Sequence, residues 1–266
     1  MADDRGAFIW YELICDDPVA AKAFYDPVIG WNIDVEGQKL PTGTSYHMIH
    51  RSDGGNAGAV LGMSQDMRDN GGKPVWMGYV CVPDVDASVR AFEEAGGALH
   101  MPAMDLPVGR IAMVSDPQGV PIYLMDPVPP EGQPDARSDV FSVDRPQHIR
   151  WNELWVPDQD AAAAFYGEQF GWKQEGAMDM GPMGRYLFIQ HGETGIGAIG
   201  HAGPNGDGPR WSYAIGVDDI DRAAAAAKEN GGTVSGEPQE IPGGEFSVYC
   251  TDPQGAAFGL VGPRKG

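Results

Sequence analysis

The sequence has few cations and few cysteines. Its 266 residues include 18 Lys and Arg against 38 Asp and Glu, which gives a formal net charge of −20. Because phosphate groups repel so acidic a chain, we expect neither nucleic acid nor a membrane surface as a partner. The three cysteines form no C-x-x-C pair. The sequence therefore predicts no disulfide framework and favours a reducing, cytoplasmic compartment.

Long apolar runs are missing as well. No stretch approaches the ~20 residues that a membrane-spanning helix needs, and the acidic first eight residues, MADDRGAF, predict no signal peptide. The chain contains no G-x-S-x-G nucleophile motif, and its glycine-rich segments lack the Lys-Ser/Thr of a phosphate-binding loop. With 42% hydrophobic and 21% charged residues, the composition is that of a folded, soluble protein.

What the sequence does contain is one long internal repeat. The segment Trp10–Leu13 returns as Trp151–Leu154, and the turn Asp116–Gly119 returns as Asp252–Gly255. The other matched pairs are Asp17 with Asp158, Phe24-Tyr25 with Phe165-Tyr166, Gly30-Trp31 with Gly171-Trp172, Trp76 with Trp211, and Gly96-Gly97 with Gly231-Gly232. The spacing far exceeds the ~20–50 residues of solenoid repeats, so the chain contains a duplicated domain.

A polar, proline-rich segment separates the two copies. It covers residues 128–147 and is typical of a linker. We therefore predict a first domain over residues 1–127 and a second over residues 148–266.

Each copy has the pattern of two β-α-β-β-β modules. Short apolar strands are bounded by glycine-rich turns, and the aspartates Asp17, Asp86, Asp158 and Asp221 stand where helix N-caps are expected. The sequence thus predicts an α+β chain of four such modules, two in each domain.

This order resembles the vicinal oxygen chelate superfamily, which includes glyoxalase I, bleomycin-resistance proteins and extradiol dioxygenases. The resemblance rests on the strand before Asp17, on Phe24-Tyr25 with Gly30-Trp31, and on the Asp-Pro-Gln-Gly turn, all of which occur in both copies. It implies two glyoxalase-like domains, each a curled eight-stranded sheet around a cleft that holds metal and substrate. The Trp-x-Glu-Leu opening and the tandem form are similar to those of bacterial glyoxalase-like proteins.

The metal positions that the resemblance implies hold unsuitable residues. They are occupied by Trp10, Met77 and Tyr123 in the first copy, and by Trp151, Ser212 and Gly259 in the second. His, Glu and Gln are the expected ligands for Fe, Mn, Ni or Zn at such sites. We therefore predict no metal cofactor, although the family resemblance implies a divalent ion. A His50–Glu12 pair alone supplies too few ligands for a relocated site.

Strand alternation identifies the candidate site residues. Glu12 shares a strand face with Trp10, and Glu153 shares one with Trp151. Each glutamate is a candidate general base or ligand anchor, or alternatively a hydrogen-bonded structural residue. The aromatic residues assigned to the clefts are Trp10, Tyr46, Tyr79 and Tyr123 in the first copy and Trp151 and Tyr186 in the second. Such walls bind flat ligands, but they also form protein cores.

Two functions remain open at this point. The first is a binding protein related to glyoxalases, bleomycin-resistance proteins and dioxygenases, which holds a small aromatic or carbonyl-containing ligand without metal. The second is a lyase, isomerase or dioxygenase that uses Glu12 or Glu153 as a base or as a relocated metal ligand. We expect a small-molecule ligand and a monomer or homodimer. Tyr79 and Tyr123 favour the first cleft as the main ligand site.

Overall fold

The computed structural model describes residues 4–40, 43–201 and 208–265. The first module comprises β1 (Phe8–Cys15), α1 (Pro18–Ile29), β2 (Asn32–Ile33), β3 (Gln38–Lys39), β4 (Ser45–His50) and β5 (Asn56–Gly62), with helix α2 (Gln65–Asp69) after it. The second module comprises β6 (Val75–Cys81), α3 (Val85–Glu94), β7 (Ala98–Leu106), β8 (Gly109–Ser115) and β9 (Pro121–Pro127).

The second copy repeats this order. The third module comprises β10 (Ile149–Val156), α4 (Gln159–Phe170), β11 (Lys173–Asp179), β12 (Arg185–His191) and β13 (Thr194–His201). The fourth module comprises β14 (Arg210–Gly216), α5 (Ile220–Glu229), β15 (Thr233–Val234), β16 (Gln239–Glu240), β17 (Phe246–Thr251) and β18 (Ala257–Gly262). Among the described residues, no helix has the length and the apolar character needed to cross a membrane.

The chain is an α+β protein with one sheet per copy. The first sheet has the order β2-β4-β5-β1-β6-β9-β8-β7, and the second has the matching order β11-β12-β13-β10-β14-β18-β17-β15. These are the eight predicted strands of each copy, and they confirm the four modules. Each sheet is open and gains a ninth strand, β3 or β16, that pairs beside the main path, because the strand after α1 and after α5 is split into two short pieces.

An aspartate caps the N-terminus of each of the four long helices, but two of the four caps were predicted at the wrong aspartate. Asp17 caps α1, where its carboxylate accepts hydrogen bonds from two backbone amides of the first turn. The N-caps of α3 and α5 are Asp84 and Asp219, two residues before the predicted caps, Asp86 and Asp221. Asp86 lies in the first turn of α3 instead, where it forms an ion pair with Arg110 and its negative charge faces the positive end of the helix dipole.

The described residues form two compact units, and both draw on the two sequence copies. Unit 1 holds the residues up to Trp10 together with Gly78–Ser138 and Trp151–Trp211. Unit 2 holds Tyr11–Met77, Asp139–Arg150 and the residues from Ser212 onward. The predicted domains at 1–127 and 148–266 describe the repeat rather than these units, and their boundaries stay a prediction.

Inside unit 1, the Asp-Pro-Gln-Gly turn of the first copy is bonded to the start of α4 in the second. The side-chain amide of Gln118 donates to the backbone carbonyl of Asp158 and accepts from its amide, both at 2.8 Å. The Tyr166 hydroxyl donates to Oδ2 of Asp116 at 3.0 Å. Asp116 is only 3% exposed, and this burial raises the pKa of its carboxyl group.

Unit 2 contains the reciprocal contact. Gln254 of the second copy forms the same pair of bonds, at 2.8 and 2.9 Å, with the backbone of Asp17. The Tyr25 hydroxyl donates to Asp252 at 3.1 Å and accepts from Nε1 of Trp76 at 2.9 Å. The repeated motifs that characterise the sequence therefore hold one copy to the other within each unit.

Residues 128–147 are largely irregular, but the last of them are fixed to unit 2. Val140 is buried, and the backbone carbonyl of Gln147 accepts a hydrogen bond from Trp31 at 2.9 Å. The Gln147 side chain also accepts from the amide of Ser52 at 2.7 Å. Gln147 is the one non-glycine residue of the described chain with a positive φ, 64°, so these bonds hold a backbone conformation that ordinary side chains disfavour.

Candidate active site on strands β10 and β12

A hydrogen-bond chain joins three of the predicted site residues inside unit 1. Trp151 and Glu153 lie two residues apart on β10 and share one face of the strand, while Tyr186 lies on β12. Nε1 of Trp151 donates to the Tyr186 hydroxyl at 2.7 Å, and the same hydroxyl donates to Oε1 of Glu153. Glu153 and Tyr186 are 8% and 7% exposed, so the polar part of the chain is nearly shielded from solvent.

Strand β13 brings these side chains together because it lies between β10 and β12 and carries small residues. Glu153 pairs with Ala198, which in turn pairs with Phe188. A Cβ atom at Gly200 would overlap the indole ring of Trp155. The G-x-G-A-x-G pattern of β13 therefore leaves room for large side chains from the two flanking strands to meet above it.

Two further aromatic residues complete this face, and neither was predicted from the sequence. The rings of Trp155 and Phe188 lie 5.9 and 5.8 Å from the ring of Tyr186, measured between centroids. Phe188 also packs at 6.3 Å against Trp151. Trp155 is buried, whereas Trp151 and Phe188 remain partly exposed. The same alternation that selected Glu153 and Tyr186 places Trp155 and Phe188 two residues further along each strand.

The first copy carries an equivalent but less aromatic arrangement. Glu12 pairs with Ala59, which pairs with Met48. Tyr46 lies two residues before Met48, as Tyr186 lies two residues before Phe188, so the two tyrosines are at equivalent positions. Ile14 and Met48 stand where the second copy has an indole and a phenyl ring. Glu12 is buried, and Tyr46 is partly exposed. The register makes the two strand pairs equivalent, and the second copy carries more aromatic surface here.

Trp10 and the two tyrosines of the second module also belong to unit 1, on strands β1, β6 and β9. Trp10 is on β1 and partly exposed. Tyr79 and Tyr123 are paired residues of β6 and β9, and their rings stack with centroids 4.3 Å apart and planes 9° apart. The two rings are 6% and 4% exposed. Each ring covers one face of the other, so the geometry supports a packing role for this pair. The expectation that the first copy holds the main ligand site was based on these two tyrosines.

The residues at the family's metal positions do not fit a divalent ion. Gly259 has no side-chain donor, Met77 offers only a thioether, and the phenol ring of Tyr123 is stacked as described. Within the ranges that the structure describes, no three His, Cys, Asp or Glu side chains form a metal-binding group. His50 is hydrogen-bonded at 3.0 Å to both Asn56 and Asp34, which engages both of its ring nitrogens.

Two of the three cysteines are unsuited to act as nucleophiles. Burial raises the pKa of Cys15 and that of Cys250 to about 12, so neither carries a thiolate near neutral pH. The groups that the hydrogen-bond chain and the ring contacts bring together on the β10–β12 face are one carboxylate, one phenol and the surrounding aromatic rings.

Paired β-α-β-β-β modules in two matching sheets define a tandem protein of the glyoxalase type. The chain belongs to the glyoxalase/bleomycin resistance protein/dioxygenase superfamily, whose family model matches residues 7–124 and 145–260. This confirms the resemblance inferred from the repeated motifs.

The chain matches proteins of Mycobacterium and Streptomyces over nearly their whole length. The chain is 31% identical over 261 residues to "Putative glyoxylase CFP32" of Mycobacterium tuberculosis, covering 97% of this chain and 95% of that protein. It is 30% identical over 274 residues to "Anthracycline biosynthesis protein DnrV" of Streptomyces peucetius, covering 98% and 94%. The Mn(II)-bound glyoxalase from Novosphingobium aromaticivorans matches 98% of this chain and 83% of its own with a TM-score of 0.64. At 18% identity, that likeness shows the shared fold.

Proposed function

We propose that this protein binds a small planar aromatic molecule on the β10–β12 face, without the metal that its family fold implies. The observation that carries the proposal is the chain from Trp151 through Tyr186 to Glu153, which lies beside the partly exposed rings of Trp151 and Phe188. Flat ligands bind to apolar walls that carry a few well-placed polar groups, and this face has that composition.

The energetics of the face favour an aromatic ligand over an aliphatic one. A well-placed ring pair contributes ~0.5–1.5 kcal/mol beyond the burial of area, and two partly exposed rings are available. A ligand hydroxyl that reaches Glu153 gains a charge-assisted hydrogen bond, which is about twice as strong as a neutral one. Stacking thus supplies affinity, while the carboxylate fixes the orientation of the ligand.

The relatives support this ligand class. The Streptomyces relative is named for anthracycline biosynthesis, and anthracyclines are planar polycyclic aromatic molecules with hydroxyl and carbonyl groups. The residues at the family's metal positions, Gly259 and Met77 among them, support binding that does not depend on a divalent ion.

Isothermal titration calorimetry with 2-naphthol tests the proposal. We expect binding by the wild-type protein, at least fivefold weaker binding by Trp151→Leu, and unchanged affinity after exhaustive dialysis against EDTA. Trp10→Leu makes the same replacement at the matching position of the first copy. If Trp10→Leu weakens binding and Trp151→Leu does not, the ligand site belongs to the first copy. Loss of binding after chelation would contradict the metal-free proposal.

An enzymatic role is the second candidate, and the bond between Tyr186 and the buried Glu153 favours it. A carboxylate held by a phenol within an aromatic face is suited to removing an acidic proton from a bound substrate. Exchange of the α-hydrogens of 2-tetralone in D2O, followed by NMR, tests this role. Exchange above the buffer rate that disappears in Glu153→Gln would support a lyase or isomerase, whereas exchange at the buffer rate leaves binding as the function.

A further inference from the structure

Strand β4 of unit 2 carries a serine and a histidine that are hydrogen-bonded to each other. Ser45 and His47 are two residues apart, so they share one face of the strand, and Oγ of Ser45 lies 2.8 Å from Nε2 of His47. The other ring nitrogen, Nδ1, lies 2.9 Å from the backbone carbonyl oxygen of Asp34. Because a carbonyl can only accept a hydrogen bond, Nδ1 carries a proton. In the neutral ring, Nε2 is therefore the acceptor, and the Ser45 hydroxyl donates to it.

Packing keeps His47 in this orientation. The residue is 5% exposed, and a Cβ atom at Gly37 would overlap its ring, so the ring occupies the space that a side chain at residue 37 would take. The imidazole cannot turn Nε2 away from Ser45 without breaking its bond to Asp34. A base that is oriented by a third group and hydrogen-bonded to a hydroxyl is the arrangement that activates a serine nucleophile.

The serine of this pair reaches a cavity inside unit 2. Ser45 is partly exposed and lines a cavity of about 500 Å³, to which the start of α1 and residues of β3, β5 and α2 also contribute. Gly62 lies beside the serine, because a Cβ atom there would be 3.4 Å from Oγ, and the missing side chain leaves the hydroxyl open on that side. The cavity has the volume of a small-molecule site, ~300–1,000 Å³.

Positive charge lies at the wall of the same cavity. Lys39 pairs with Ser45 across β3 and β4, which puts both side chains on one face of the sheet, and both line the cavity. Arg68 lines it too, and its Nε binds Asp16 at 2.7 Å, the one carboxylate among the described residues of the lining. The wall thus has two cations and one anion, in a chain of net charge −20. A cation beside a serine nucleophile stabilises the negative charge that develops on a carbonyl oxygen under attack.

We propose that Ser45 is the nucleophile of a site that cleaves small esters, with His47 as its general base. Oγ of Ser45 attacks the ester carbonyl carbon and its proton moves to Nε2 of His47, while the carbonyl oxygen becomes negative beside Lys39. The bond from the carbonyl carbon to the alkoxy oxygen then breaks, and the alcohol leaves with the proton from His47. Water attacks the acyl-serine in the same way, His47 passes the proton of that water to Oγ, and a carboxylic acid is released. One ester and one water thus give one alcohol and one acid.

A fluorophosphonate probe tests the nucleophile directly, because an activated serine forms a P–O bond with it and displaces fluoride, while the hydroxyl proton goes to the base. At pH 8.5, which favours the neutral imidazole, we expect one adduct per chain, located on Ser45 by peptide mass spectrometry. Ser45→Ala should abolish the adduct. His47→Asn should slow its formation by about a hundredfold or more, the lower end of what general-base catalysis contributes.

A matched variant controls for the loss of a histidine. His100 is an exposed histidine on β7, and His100→Asn should be labelled at the wild-type rate. If His47→Asn does not fold, Gly37→Ala replaces it, because the added methyl group displaces the ring from Ser45 and should slow labelling in the same way. Hydrolysis of 4-nitrophenyl acetate measures the complete reaction, and we expect a rate above that of the buffer that is lost in Ser45→Ala.

The results that would overturn the proposal are equally specific. They are the absence of an adduct on Ser45, or labelling of other serines at the same rate. Wild-type labelling rates in His47→Asn or Gly37→Ala would also overturn it, since the serine would then react without the histidine. Labelling without hydrolysis of 4-nitrophenyl acetate would refute the esterase reaction. None of these outcomes bears on ligand binding by the β10–β12 face, which belongs to unit 1.

Discussion

The Tyr166→Phe substitution isolates one of the bonds that hold the two sequence copies together. It removes the hydroxyl that donates to Asp116 at 3.0 Å and leaves the aromatic ring in place. A hydrogen bond to a charged group contributes ~1.5–3 kcal/mol, and Asp116 is almost fully buried. We therefore expect the free energy of unfolding at pH 7 to fall by about 2 kcal/mol, which corresponds to a decrease in Tm of roughly 4–8 °C for a chain of this size.

The reciprocal substitution, Tyr25→Phe, should cost more. It removes the donor to Asp252 and also the acceptor of the Trp76 indole N–H. A buried donor left without a partner adds a further cost of ~1–3 kcal/mol. Urea unfolding followed by far-ultraviolet circular dichroism gives both values under identical conditions.

The effect of pH has a definite sign. Burial is the main cause that raises the pKa of Asp116, and the bond from Tyr166 lowers it in part. A carboxyl group whose pKa is raised by folding favours the folded state at low pH, and this contribution is lost as the pH rises through the folded-state value. Tyr166→Phe raises that pKa further, so it should destabilise the protein more at pH 7 than at pH 3.5. An equal cost at both values, or a smaller cost for Tyr25→Phe than for Tyr166→Phe, would refute the reasoning.

Two further outcomes follow from the packing. Gly200→Ala places a methyl group against the Trp155 indole, so we expect this variant to bind 2-naphthol at least fivefold more weakly by calorimetry. Unchanged affinity would show that the Trp155 indole does not position the site. Because burial raises the pKa of Cys15 and Cys250 to about 12, iodoacetamide at pH 8 should modify neither in the folded protein and both in urea. Mass spectrometry measures the adducts, and alkylation of the folded protein would contradict the assigned burial.

The sequence was sufficient to predict the modules, because each has its own local signals. Strand alternation, an aspartate cap and a glycine after the helix all act over a few residues, and they were enough to predict the order of strands and helices in each module. The caps at Asp84 and Asp219 were missed because a second aspartate follows two residues later in each case, and local sequence does not rank two adjacent candidates.

The site was predictable only in part. Alternation along one strand selects Glu153 and Trp151, but which side chains meet across β13 depends on the register of three strands. Phe188 and Trp155 were therefore not among the predicted site residues. The stacking of Tyr79 on Tyr123 could not be predicted for the same reason. The exchange of partners between copies was also invisible, since a repeat reveals which segments are alike and not which of them touch.

That exchange of partners has a consequence for how the protein stays assembled. Each repeat carries both a helix start and an Asp-Pro-Gln-Gly turn, yet each turn is bonded to the helix of the other repeat. Two separate single-repeat molecules would have to find each other to make these bonds, and they would come apart on dilution. Joining them through one polypeptide makes the encounter intramolecular, with an effective concentration on the order of millimolar for a short flexible connection. The tandem chain thereby keeps its reciprocal bonds even where only a few molecules are present.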